Sequence, residues 1–441
     1  MAAVLLMILA LAPAQGSAGV PGLWRQGDTG GPSGRVAEAS QAELLSVLED
    51  ADAESAAKIL ALEQLAYRGR APLPYDTIRG ARRLVRGEHL ADWLRCLGMC
   101  GEDGLQHLRD LPEQRRAMMQ AEIVYALGRR ASEGEGLARA TLADRSRPAE
   151  VRVAALRALA DRDSAFAEVE ALRRLAMEDG PLLLEALAVL RRAPTADHIP
   201  FLIDLLAERE GRPAAEAAAL LRRITGYGIG ADERTWRLHY LRHKAEGTPF
   251  RLVGDQAIGS AETVSYLGIP LLSDRIIFAL DSSGSMEDAL PERRGRTRGA
   301  VAVGEFSAML PRLPASASFN IAFFDGGVRP WAPRLQAQDD RTVEDARIWV
   351  QANAFEGGTN LFGGIAFAFV DTGVEELVLL SDGMPSDGEL TDPAAILARV
   401  ARWNRWRLMR ISTISFGAPP RARAFLFRLA HEHAGAFRWI D

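Results

Sequence analysis

Residues 276–286 read IIFALDSSGSM: an unbroken apolar run, then Asp281, then a loop of small and hydroxyl-bearing residues. The run is too short for a helix and has no polar face, which is the pattern of a strand in a parallel sheet covered on both sides. Similar runs return at 318–325, 377–381 and 411–416, separated by longer segments with helical spacing. Gly299–Leu313 places Val303, Phe306, Leu310 and Leu313 on one face; Val343–Ala354, Pro393–Arg405 and Ala422–His433 read as further helices. Asp325-Gly326-Gly327, between FNIAFF and VRPWA, supplies residues able to take positive φ and predicts a hairpin. The C-terminal part of the chain therefore reads as a doubly wound, Rossmann-like α/β domain.

In such a sheet the loops at the carboxyl ends of the strands converge on one crevice. Three loops in this position carry oxygen ligands. Asp281, Ser283 and Ser285 alternate, so a turning loop can aim all three at one point. Gly357-Gly358-Thr359-Asn360 combines close backbone approach with a hydroxyl before a new helix, and Leu380-Ser381-Asp382-Gly383 adds a second carboxylate directly after a strand. Two carboxylates and three hydroxyls are a hard, all-oxygen set suited to Mg²⁺ or Mn²⁺ and poorly suited to zinc. Two aspartates only neutralise a divalent ion. With one of them acting through water, the metal stays electrophilic and can accept an Asp or Glu carboxylate from a partner.

These residues resemble the von Willebrand factor type A (vWA) domain. Its metal-ion-dependent adhesion site, D-x-S-x-S, is Asp281-Ser-Ser283-Gly-Ser285; its threonine loop is Gly358-Thr359; its later aspartate is Asp382 in LSDG. The resemblance runs from about Tyr266 to Asp441 and includes the closing ISTISFG and FLFRLAHEHAGAFRWI segments. It implies that Ser283 and Ser285 bind the metal directly, Thr359 directly or through water, and Asp281 and Asp382 as direct or water-bridged carboxylates. Glu287, Asp288 and Asp387 are the candidate bases a hydrolase would need, and they sit on polar loops where solvation is the commoner role. Met286, Phe362, Met384 and Pro385 read either as an apolar collar around the metal or as ordinary loop packing.

The chain has 441 residues, 48% hydrophobic and 25% charged, with a net charge of −5, an ordinary folded composition. No basic block stands out, which excludes a nucleic-acid scaffold. Its lysines, Lys58 and Lys244, follow no glycine-rich turn, which excludes a P-loop. From about Gln41 to Ala245 the sequence is rich in Ala, Leu, Arg and Glu at helical spacing. VYALG (124–128), LRALA (156–160), LEALAVL (184–190) and AAALLRRITG (217–226) recur with a period in the low thirties, the mark of stacked helix pairs. PAEVRVAALRALADRD (148–163) resembles a HEAT-type repeat, which implies an all-α solenoid over about 41–226 ending at Gly226-Tyr-Gly-Ile-Gly230.

Val4–Leu11 is an apolar run followed by small residues, the pattern of a signal peptide over 1–18. Residues 19–40 read as a flexible Gly/Ser/Pro leader, 41–245 as the helical domain, 246–265 as a linker and 266–441 as the vWA domain. The mature chain then has no membrane span and is exported, to a periplasm, a cell envelope or the medium. Cys96 and Cys100, four apart, read as small apolar fillers, with an intrahelical disulfide the alternative. The pairs His239/His243 and His431/His433 read as structural, since no H-E-x-x-H accompanies them. The expected function is non-enzymatic: Mg²⁺-dependent binding of a protein partner that offers a carboxylate, with the helical repeats as a second interaction surface. The alternatives are an adaptor of an AAA-type ATPase and a metal-dependent hydrolase.

Overall fold

The computed structural model describes residues 39–69, 72–162, 164–247, 264–290 and 295–441. The apolar run 4–11, nearly all of the leader and most of the linker lie outside the described residues. Among the described residues no helix is long and apolar enough to cross a membrane.

The first part of the chain is all helix: α1 Gln41–Glu49, α2 Ser55–Arg68, α3 Tyr75–Gly80, α4 His89–Leu97, α5 Glu102–Arg109, α6 Ala117–Arg130, α7 Gly134–Ala143, α8 Ala149–Arg162, α9 Ser164–Leu175, α10 Gly180–Arg192, α11 Ile199–Glu208, α12 Gly211–Thr225 and α13 Glu233–Glu246. Ser40 starts α1 with a reciprocal capping box to Glu43. Gly226, at φ 76°, ends α12 where the repeat was expected to stop. The helices stack in two rows. α2, α4, α6, α8, α10 and α12 pack in succession as an inner row, and α9, α11 and α13 form part of an outer one. This is the stacking that a thirty-residue helical repeat dictates. In the middle of the inner row, α8 is covered almost all round, with Val151, Val153, Ala155, Leu156 and Leu159 inaccessible to solvent.

The second part is a sheet with strands β3 (Arg275–Asp281), β4 (Ser318–Phe324), β5 (Val328–Pro330), β7 (Glu376–Ser381), β8 (Arg410–Phe416) and β9 (Phe437–Ile440) in the order β5-β4-β3-β7-β8-β9; the short β6 (Gln336–Ala337) also pairs with β4. β4, β3, β7, β8 and β9 are parallel, and β5 returns antiparallel through the Asp325–Gly327 hairpin. Helices α14 (Arg298–Met309) and α15 (Asp340–Gln351) cover one face, burying Ile276, Phe278 and Leu280. α16 (Leu361–Val370), α17 (Pro393–Asn404) and α18 (Pro420–Glu432) cover the other, burying Ile277, Ala279, Leu377 and Leu379. Ahead of the sheet, residues 264–272 form a separate two-stranded hairpin, β1 (Ser265–Tyr266) with β2 (Ile269–Pro270). Its Tyr266 is buried against Phe278 and Phe306.

The two parts are docked along the outer face of α17. Arg399 donates to Glu63 at 2.9 Å; Arg402 pairs with Asp92, with Glu63 at 3.2 Å and with Glu88 at 3.0 Å; Arg405, the C-cap, lies 3.0 Å from Glu122. Trp403 and Trp406 donate their indole N–H groups to Glu88 and Glu122. Trp406 belongs to the core of the helical domain. Glu63, His89 and Asp92 converge closely enough to suggest a metal cage, but Arg402 stands among them as the cation.

Cys96 is buried and Cys100 half-buried, both free; Cys100 donates to the Cys96 carbonyl at 3.2 Å, and burial pushes its thiol up to about 12. Both act as fillers. His239 and His243 pack on the Tyr227 ring, whose hydroxyl lies 2.6 Å from His243 Nε2. His431 stacks on Phe427, and His433 is buried with Nδ1 3.1 Å from Asn404 Nδ2.

Glu122→Ala leaves Arg405 buried without a carboxylate and the Trp406 N–H without an acceptor. It should cost about 3–5 kcal/mol by urea unfolding of the whole chain; a loss under about 1 kcal/mol would mean that the seam is wet. Burial lowers His433 from 6.5 to about 4. The unfolded chain therefore takes up a proton between pH 6.5 and 4 that the folded chain refuses, so stability falls as pH falls through that window, by about 2 kcal/mol from pH 7 to pH 5. His433→Gln should flatten that slope in denaturation midpoints measured at the two pH values.

Candidate metal centre

The order of the sheet places a reversal at β3. The chain leaves β3 for β4 on one side and returns through β7 on the other. A crevice opens outside the carboxyl ends at such a point. Asp281 is the last residue of β3, and Ser381-Asp382 lies at the same end of β7. The chain after Asp281 turns into a single 3₁₀ turn, Gly284–Glu287, which presents Ser283 and Ser285. The Gly357–Asn360 loop is drawn over the crevice by its backbone: Gly284 donates to the Gly357 carbonyl at 3.2 Å, and Asn360 N–H to the Asp325 carbonyl at 2.6 Å. Asn360 then caps α16 through Gly363.

The structure brings the loops of all five sequence-predicted residues together. Asp281 is 1% exposed; it accepts from Ser283 N–H at 2.9 Å and from Ser381 Oγ at 2.6 Å. Ser283 and Ser285 hydroxyls lie 3.2 Å apart, and Ser285 donates to Asp382 Oδ1 at 2.9 Å. Thr359 is held through its backbone, its N–H donating to Ser386 Oγ at 2.9 Å. Gly357 takes φ 81°, and a Cβ on Gly358 would collide with the Asp387 carboxylate, so both glycines are required by the loop. All hydrogen-bond partners of the five lie between residues 281 and 387.

The electrostatics favour a cation. Burial pushes the Asp281 carboxyl up to about 6, and the neighbouring Asp382 adds to this, while hydrogen bonds from Ser283 and Ser381 act against it. Arg298, at the start of α14, donates from one nitrogen to Asp382 Oδ2 at 2.7 Å, to the Ser285 carbonyl at 3.1 Å and to Asp288 at 3.2 Å. A guanidinium thus stands against the carboxylate that a metal would need. The donor set, hard oxygens that include two buried carboxylates, fits Mg²⁺ or Mn²⁺, with Arg298 the one cation an ion would have to displace from Asp382.

Three contributors were missed by sequence reasoning: Arg298, Ser381 as a donor to Asp281, and Ser386 as the anchor of Thr359. Ser381 was quoted only as a neighbour of Asp382. Arg298 carried no signal, being one of several arginines in PERRGRTRG (291–299). Asp288 and Asp387 are tied to Arg298 and Ser386, and Glu287 is exposed. None is poised as a base over the five oxygens. Met286 and Phe362 are core residues and form no collar.

Residues 274–438 match the family model of the von Willebrand factor type A domain. That segment is a vWA domain. It is similar to human von Willebrand factor A domain-containing protein 3B, 25% identical over 172 residues, which are 39% of this chain and 12% of that protein. Human von Willebrand factor A domain-containing protein 3A is 27% identical over 168 residues, 38% of this chain and 13% of that protein. The chain thus spans about an eighth of the length of the curated relatives it matches. Among solved structures, a von Willebrand factor type A protein from Catenulispora acidiphila is 20% identical with a TM-score of 0.31, covering 39% of this chain and 40% of that one. BatB from Bacteroides thetaiotaomicron is 17% identical with a TM-score of 0.29, covering 38% and 89%.

Gly358→Ala should force Asp387 and Ser386 away and detach Thr359, lowering stability by about 1–3 kcal/mol. Unchanged denaturation midpoints would show that the loop is not held by these contacts.

Proposed function

We propose that the protein is a non-enzymatic interaction module in which the vWA domain holds Mg²⁺ or Mn²⁺ and takes a carboxylate of a protein partner as a further ligand. Asp281, Ser283, Ser285, Thr359 and Asp382 would hold the ion. The observation that carries this reading is the Ser283–Ser285–Asp382 hydroxyl and carboxylate chain beside buried Asp281 at the sheet's switch point. When bound, the metal supplies a Lewis-acidic position open to an oxygen anion. Asp281 stays anchored by Ser381 and the Ser283 N–H. Ser285, at the exposed side of the site, shares its hydroxyl with Asp382, and Arg298 competes with the ion for that carboxylate. The polar residues around the crevice are ion-paired or solvated, which supports binding over hydrolysis. The N-terminal apolar run supports export to a cell envelope or beyond it, and with it binding over the cytoplasmic ATPase-adaptor role. The inner row of the helical domain is partly covered by the vWA domain, so any second interaction surface of the repeats would use the rest of the solenoid.

Calorimetric titration of the whole chain with Mg²⁺ and Mn²⁺ tests this. Asp281→Asn, which keeps the side-chain shape, should lower the affinity at least tenfold without unfolding the sheet. Arg298→Met should raise it several-fold by removing the competing cation. Equal affinity in wild type and Asp281→Asn would sink the assignment.

A further inference from the structure

The two edges of the main sheet are finished differently. β5, at one edge, has three residues and ends in Pro330, which has no N–H to offer. β9, at the other, contains no proline and pairs on one side only, with β8. The Thr413 N–H donates to the Ala436 carbonyl and the Gly417 N–H to the Ile440 carbonyl, so residues 436, 438 and 440 turn their backbone groups toward β8. Phe437 and Trp439 therefore turn theirs away. Their two N–H and two C=O groups have no hydrogen-bond partner among the described residues, and together they match the groups of an added strand.

The side chains along this edge are those of a contact surface. Trp439 is 43% exposed and Phe427, on the adjoining α18, 52%. Phe427 packs edge-on against Phe437 with ring centroids 5.7 Å apart, and the Arg423 guanidinium of α18 lies 4.1 Å from the Trp439 ring centroid. These aromatic groups share the α18 side of the sheet. Arg438 points to the other side, as the buried Ile440 does, and is exposed. Glu305 and Asp441 border the same open cleft, and neither comes within ion-pair distance of Arg438. Large aromatic and arginine side chains are what interfaces use as anchors.

The chemistry selects among occupants. A lipid surface would bury the four backbone groups without partners. A second copy paired antiparallel through β9, in the register that uses all four groups, would set Arg438 opposite its own counterpart, and like charges directly opposed repel. An extended segment of a different protein meets both conditions. Its residues opposite Phe437 and Trp439 lie on the aromatic side, and its residue opposite Arg438 lies on the cationic side. We propose that the β9 edge is a strand-addition site for an extended protein segment in which apolar residues flank an acidic one. Backbone hydrogen bonds supply the attachment, and the alternation supplies the specificity. β9 is two places from β7 in the sheet, so this site is separate from the candidate metal centre and needs no ion.

The test is fluorescence anisotropy with the whole chain and a dye-labelled, end-blocked heptapeptide of alternating valine and glutamate, in buffer with chelator so that the candidate metal centre takes no part. Wild type should bind it, and should bind the valine and lysine counterpart at least tenfold more weakly. Methylating every backbone nitrogen of the peptide should abolish binding. Arg438→Glu should weaken the glutamate peptide at least tenfold and strengthen the lysine one. If that variant misfolds by circular dichroism, Arg438→Gln should still bind the glutamate peptide several-fold more weakly. Trp439→Thr keeps the strand and removes the anchor, and its affinity should fall several-fold. Arg341→Ala, which removes a 92% exposed arginine on α15, should bind as wild type does. No binding by wild type, equal affinity for the methylated peptide, or wild-type affinity in the Arg438 variants would overturn the proposal. So would a dimer in sedimentation velocity that Trp439→Thr dissolves, which would assign the edge to a second copy.

Discussion

The arrangement of the molecule depends on a row of buried charges along one helix. Arg399, Arg402 and Arg405 recur every three residues on α17 and its cap, so they follow one side of the helix, and each meets an acid from a different inner-row helix: Glu63 from α2, Asp92 from α4, Glu122 from α6. Arg399 and Arg402 are 7% and 4% exposed, and Glu63 and Glu122 are 2% and 3% exposed. Removing such groups from water costs nearly what their attraction returns, so the pairs add little stability over an apolar seam. Their effect is selective. Sliding the helical domain by one helix would leave several charges buried without partners, and that penalty fixes the register of one domain on the other.

This docking changes what each part presents. The inner row of a solenoid is the surface where a partner would be expected to lie, and here it carries the chain's own vWA domain over much of its length. The candidate metal site stays independent of the seam, because its side chains find their partners within residues 281–387. The docking helix follows the loop that carries Asp382, and Arg399 also reaches Glu389 in that loop at 3.2 Å. The seam and the crevice are thus adjacent along the chain while their hydrogen-bond networks remain separate.

The difference between what could and could not be read from the residues has a physical origin. Apolar periodicity reports a segment's own core, so IIFALD, the helices around it and the thirty-residue repeat were all legible. The candidate donor set was legible because Asp281 and Asp382 directly follow the apolar runs of β3 and β7, which lie side by side in the sheet. The seam was not, because it is built from arginines and glutamates, which read as a solvated face. The sequence ARVARWNRWR (398–407) does hold a signal, arginine every third residue with tryptophan between, a spacing that exposed arginines have no reason to keep. Trp406 completes a core formed by residues far earlier in the chain, and no local pattern announces that. Arg298 escaped for a related reason: its role depends on where α14 starts relative to Asp382, a tertiary relation.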